Sequence, residues 1–151
     1  MRRIEGEITI SCPRDVVFDY LADQTNEPQY NPSMIRAEKV TTGPIDKGTT
    51  FSSAVRSAGR IAQMQIEITD CDRPRLLAST TTMQQADIDY MLRFEPVAEG
   101  TRMRWSGQIR PKGAFRLLGP LFIWLGRRQE QRIWQSMKTH LEGTRRDEPQ
   151  S

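Results

Sequence analysis

Histidine occurs once in this chain, at His140, and cysteine twice, at Cys12 and Cys71. A zinc site needs three or four converging nitrogen, sulfur or oxygen ligands, and nothing here shows that spacing. His140 reads as a solvent-facing or helix-end residue, and a Ser-His-Asp arrangement is weakened for the same reason. Two isolated thiols suit a reducing compartment better than a disulfide framework. Long apolar runs are missing as well. Segment 115–126 is too short to span a bilayer and contains Arg116. The start, Met1-Arg2-Arg3-Ile4-Glu5, lacks the apolar core of a signal peptide. No glycine-rich phosphate loop is present, and Gly59 and Gly119 read as isolated turn or kink glycines. Charge of one sign is scarce: 22 Lys and Arg stand against 19 Asp and Glu, a net of +3. That balance gives no reason to invoke nucleic acid. The expectation is a cytoplasmic protein without metal, cofactor or integral membrane segment.

What is present is a clear succession of periods. A chain of 151 residues fits one domain with a sizeable core. Ile4, Ile8 and Ile10 fall on one side of a first strand, with Glu5, Glu7 and Thr9 on the other. Pro13 suits a first helical turn, near a cap at Ser11 or Cys12. Val16, Val17, Tyr20 and Leu21 then follow at helical spacing. Segment 23–32 is dense in Asp, Asn and Pro and allows a second brief helix over 24–29. Strands are predicted over 35–40, 49–56, 60–70, 76–82, 88–95 and 101–110, separated by turn signals such as Asp72-Arg73-Pro74 and Glu99-Gly100. From 114 to 142 the period becomes helical, with Phe122, Ile133, Met137 and Leu141 on one stripe, Trp134 beside it and a kink or break at Gly119-Pro120. The domain is placed at 1–143 and the polar remainder, 144–151, is expected to be a disordered tail.

This order resembles the START-like, or SRPBCC, superfamily, and within it the polyketide cyclase/dehydrase group. The resemblance rests on Cys12-Pro13 with Val16 to Asp23, on Asn26-Glu27-Pro28-Gln29-Tyr30-Asn31-Pro32, on Asp72 to Leu76, and on Phe94-Glu95-Pro96 with Gly100 to Met103. It implies an α+β helix-grip fold: a seven-stranded antiparallel sheet around a long C-terminal helix, in the order β-α-α-β6-α. Members of the group often carry Trp where this chain has Tyr30, and the added hydroxyl is expected to face the pocket mouth. The group includes lipid and hormone binders, aromatase/cyclases and proteins with no assigned activity, so the likeness implies a fold more than a function.

Under that fold the inner face is expected to present Phe51, Ser53, Val55, Met64, Ile66, Ala78, Thr80, Tyr90, Leu92, Met103 and Trp105 towards Phe122, Ile133 and Met137. Such a lining suits a mostly apolar pocket oriented by a few polar groups. Each aliphatic member also suits plain core packing. Tyr90 and Trp105 weigh more, because a buried O–H or N–H needs a partner. The leading expectation is binding of a hydrophobic small molecule, lipid-like or polyketide-like, by these residues and Tyr30. An aromatase/cyclase is the alternative, with Tyr90 donating to a developing enolate, but no carboxylate or histidine is placed inward as base. A third alternative is an interaction module. Segment 115–126 is more apolar than one buried face requires and is expected to form a homodimer contact or a flap.

Overall fold

The computed structural model describes residues 2–57 and 59–147. Strand β1 (Arg2–Ile10) leads into α1 (Arg14–Ala22) and a 3-10 helix (Gln24–Gln29). Six strands follow: β2 (Met34–Lys39), β3 (Thr50–Ser57), β4 (Arg60–Asp72), β5 (Leu76–Met83), β6 (Ala86–Val97) and β7 (Gly100–Pro111). A second 3-10 helix (Gly113–Leu118) precedes α2 (Gly119–Asp147). The strands form one antiparallel sheet in the order β1-β7-β6-β5-β4-β3-β2. Short connections make consecutive strands neighbours, and only β1 departs from that order by closing against β7.

Alternation explains which side of each strand is buried. In β7, Thr101, Met103, Trp105 and Ile109 are buried, and the intervening residues reach solvent. Ile4, Ile8 and Ile10 do the same in β1. The tight β6–β7 turn rests on Gly100, whose φ is +141°. A Cβ there would lie 2.3 Å from the Ile10 carbonyl oxygen, so the turn and the end of β1 approach this closely only over glycine.

Helix α2 buries Trp134, Met137 and Leu141 at helical spacing against the concave face. Each such side chain contributes roughly 1.5–3 kcal/mol on burial. The C-terminal half of the helix is pinned to the entrance of α1. The Ser11 N–H donates to Glu142 Oε1 at 2.9 Å, and His140 stacks on Tyr20 with ring centroids 5.7 Å apart. Gly119 and Pro120 stand in the first turn of α2, where proline's missing N–H costs no hydrogen bond.

Four expectations are corrected. Helix α1 starts after Pro13, which is itself the cap residue, and buries Val17, Phe18, Leu21 and Ala22; Val16 is exposed. Helix α2 continues to Asp147, so residues 144–147 are helical and His140 is not at the helix end. Residues 148–151 lie outside those described. Tyr30 faces the core and not a mouth, being 4% exposed. Thr80, expected inward with Ala78, lies on the outer face. It pairs with Asp89, and its hydroxyl donates to Asp89 Oδ1 at 2.9 Å. The stretch Leu76 to Met83 lacks an apolar/polar alternation, so its parity cannot be read from pattern. A register shift in β4 between Ile68 and Asp70 helps set it, and Leu77, Ser79 and Thr81 take the inner side.

Candidate ligand site

Three aromatic rings from separate parts of the fold meet around Trp134 of α2. Its ring lies 6.3 Å from Tyr30, 6.2 Å from Tyr90 of β6 and 6.0 Å from Trp105 of β7, centroid to centroid. Local sequence places each of them. Trp105 can lie across β1 because its cross-strand partner there is Gly6, where a Cβ would stand 2.4 Å from the indole. Gly107, opposite Tyr90, leaves space for the phenol ring in the same way, since a Cβ would come within 3.1 Å of it. Tyr30 is set by the end of the 3-10 helix, where its N–H donates to the Glu27 carbonyl at 3.0 Å.

Two carboxyl groups join this cluster, and neither was expected. The Tyr90 hydroxyl donates to Glu130 Oε2 in a short hydrogen bond, while Trp134 Nε1–H donates to the Tyr90 oxygen at 3.1 Å. The phenol is thus held between an indole donor and a carboxylate acceptor. Across the rings, Glu27 Oε1 accepts from Asn31 Nδ2 at 3.1 Å. Tyr30, Trp105, Trp134 and Asn31 are buried; Tyr90, Glu27 and Glu130 are half-buried.

The electrostatics follow from that placement. Burial pushes the Glu27 carboxyl up to about 7; the Asn31 amide opposes the shift and the charge of Glu130 adds to it. Burial also raises Glu130, against the opposing hydrogen bonds of Tyr90 and Trp134. Tyr90 is held well above the usual phenol range, first by burial and then by the Glu130 charge. Tyr30 is raised likewise, by burial and then by Glu27. At neutral pH both phenols therefore remain donors, and Glu27 sits near its own midpoint. Two interacting carboxyls, a phenol and an indole N–H can hold and move a proton, or receive a polar group of a ligand.

The remaining expected lining divides. Phe51, Ile66, Leu92, Met103 and Met137 are buried in the core cluster, and Ile133 packs against it half-buried. Met64 is half-buried on β4, opposite Ser53. Ser53 is fully buried, and its hydroxyl has no hydrogen-bond partner. Thr80 is not part of the group. Phe122 lies outside the described side chains, as does most of segment 115–126; Leu117 and Trp124 there are exposed, and Arg128 sits 5.8 Å over the Trp124 ring. Glu130 was legible in principle. It precedes Trp134 by one helical turn, so the stripe 134–137–141 extended backwards reaches it. Glu27 sits in an Asp/Asn/Pro segment without period and gave no signal.

Two open clefts are present, one of them lined in part by Trp105. One, of about 500 Å³, is bounded by Phe18, Ile45, Cys71 and the Asp19–Arg73 ion pair. The other, of about 340 Å³, lies along Glu5, Glu7, Arg93 and Arg104 on the outer sheet face. Between sheet and helix, Trp134 packs against Tyr30, Tyr90 and Trp105. No helix among the described residues is long and apolar enough to cross a membrane.

A seven-stranded antiparallel sheet closed over a C-terminal helix defines the START-like helix-grip class. The chain belongs to the family described as "Polyketide cyclase / dehydrase and lipid transport", whose sequence profile matches residues 1–142. Among solved structures it is similar to a START superfamily protein from Mycobacterium smegmatis, with a TM-score of 0.81 at 10% identity over 94% of this chain and 98% of that one. A protein from Thermus thermophilus matches with a TM-score of 0.77 at 15% identity, over 95% and 99% of the two chains. The Zhui aromatase/cyclase from a Streptomyces species matches with 0.70 at 16% identity, over 91% and 94%. These likenesses carry the fold alone. Comparison with curated proteins finds no match.

Proposed function

We propose that this protein is a cytoplasmic binder of a hydrophobic small molecule, lipid-like or polyketide-like, seated at the half-open edge of the aromatic cluster. The observation that carries this reading is the Trp134–Tyr90–Glu130 hydrogen-bonded row, a polar anchor set in an aromatic wall. Family membership supports it, since the family description includes lipid transport. Because Trp134 closes the middle of the interior, the ligand rests against Tyr90, Glu130 and Glu27 at the rim. The exposed Leu117 and Trp124 support a subunit contact through segment 115–126.

Titration of the purified protein with a medium-chain ketone, followed by tryptophan emission, tests the binding. Saturable quenching is expected, weakened about fivefold in Tyr90→Phe, which removes the hydrogen bond of about 1 kcal/mol that positions Glu130 at the rim. Absence of saturable binding with ketones, alcohols and amines alike would overturn the reading. Aromatase/cyclase activity is a second reading, favoured by one observation: the Tyr90–Glu130 contact supplies the carboxylate that the sequence did not show. Turnover of a poly-ketone, abolished in both Tyr90→Phe and Glu130→Gln, would establish it.

A further inference from the structure

The aromatic cluster alone would be an ordinary core. What a core does not explain is a pair of carboxyl groups set against it with no ion-pair partner among the described residues. Every ion pair found among the described residues lies elsewhere: Arg36–Glu38, Arg73–Asp19, Arg75–Asp72, Arg102 and Arg104 with Glu95, Arg104–Glu7, Arg110–Asp89 and Lys112–Asp87. The titratable groups that act with Glu27 and Glu130 are the two carboxyls on each other, Tyr30 close to Glu27, and Tyr90 from β6. None is a cation. His140 stacks on Tyr20, one ring removed from Tyr30. A partly desolvated carboxylate without a counter-charge is costly, and two in mutual range are more so.

From this arrangement we infer that the site takes a hydrophobic amine, its ammonium group received by Glu130 and Glu27 against the faces of the surrounding tyrosine and tryptophan rings. The inference deepens the binding function proposed above and rests on it. Rings and carboxylates act on a cation in the same sense: the ring quadrupole attracts it, and the carboxylates hydrogen-bond and neutralise it. Glu130 already has its Tyr90 bond, which leaves its second oxygen to accept from the ligand. Glu27 has one accepted bond, from Asn31, and likewise keeps acceptor capacity. The half-buried state of both lets a ligand reach them from the edge.

An ammonium ligand takes the place of protons. In the free protein Glu27 is about half protonated at neutral pH, its carboxyl lying near 7. Bound ammonium favours the ionised form, so binding releases protons. Affinity rises as pH rises through that region, as long as the amine itself stays charged.

The experiment compares phenylpropylamine with phenylpropanol, which match in size and apolar body but differ in charge. Both are titrated calorimetrically into the full chain and into Glu130→Gln. The amine is expected to bind at least about tenfold more tightly than the alcohol, the scale of a charge-assisted hydrogen bond. That preference should collapse in Glu130→Gln, and a cooperative thermal unfolding transition shows that the variant is folded. Repeating the amine titration in buffers of different ionisation enthalpy should reveal proton release, reduced in Glu27→Gln. Equal affinity for amine and alcohol would overturn the amine inference and leave the hydrophobic-binder reading standing. Failure of both compounds to bind would overturn the amine inference, and the other ligand classes would then decide the binder reading.

Discussion

The acidic residues of the outer sheet face and those at the edge of the aromatic cluster are treated in opposite ways. Outside, Glu7, Glu95, Asp87 and Asp89 each have an Arg or Lys within 3.4 Å, and the pairs form a lattice across β1, β6 and β7. At the edge of the cluster, Glu27 and Glu130 meet a phenol, an amide and indole rings. Exposed pairs cost little to form and contribute little, because water already solvates both partners. Carboxyl groups drawn partly out of water without a counter-charge destabilise the fold unless they are protonated or bound. The comparison therefore separates charges that decorate a surface from charges kept at a cost, and the second kind stands where the ligand is proposed to bind.

The largest effect on this contrast comes from removing the ring that all the others touch. Trp134→Ala takes away the partner of Tyr30, Tyr90 and Trp105 and the N–H that donates to Tyr90. Large-to-small changes at buried tryptophan cost about 3–5 kcal/mol, so a drop of roughly ten degrees or more in melting temperature is expected by calorimetry. A loss below about 1 kcal/mol would mean that the cluster is not a packed unit.

Glu27→Gln tests the inner half of the comparison with a smaller effect. The folded-state carboxyl is raised from 4.5 to about 7, so the native state holds a proton that the unfolded chain has released between those values. Stability from this group is fully present at the acid end and is lost as pH rises through about 7. Asp19 contributes in the opposite sense, since its hydrogen bond to Arg73 lowers its carboxyl. The difference between variant and parent at matched pH isolates Glu27. Glutamine keeps an acceptor for Asn31 and cannot ionise, so the variant should gain on its parent as pH is raised, seen in urea midpoints. A constant difference across the range would show that Glu27 is not shifted.

How much of this was legible in the chain follows from the same physics. The strands of the β6–β7 hairpin announce themselves because alternation at Ile88, Tyr90, Leu92 and Phe94 and at Met103, Trp105 and Ile109 is strict, and Gly100 marks the turn. The long helix announces itself through Ile133, Met137 and Leu141. Strand β5 does not, because Ser79, Thr80 and Thr81 have similar polarity and either parity fits; register is a tertiary property set by β4 and β6. Tyr90 and Trp105 were legible as polar-tipped aromatics on an inner face. Their partners were not. Glu27 and Glu130 lie far apart in sequence on segments whose mutual placement only the closed fold supplies, and a glutamate one turn before Trp134 looks from the sequence like any solvated helix residue.

The outer half of the comparison gives the smallest effect and the cleanest control. Arg104 bridges Glu7 at 3.2 Å and Glu95 at 3.4 Å, and all three side chains are about half exposed. If the lattice acts only as a surface pattern, Arg104→Ala should cost no more than about 1 kcal/mol, and added salt should erase most of that. Ligand affinity should stay unchanged, because the side chain points away from the concave face, between Met103 and Trp105, which point into it. A loss of affinity in Arg104→Ala comparable to that in Glu130→Gln would move the functional surface to the outside of the sheet, towards the cleft along Glu5, Glu7 and Arg93, and would dissolve the distinction between the two sets of acids.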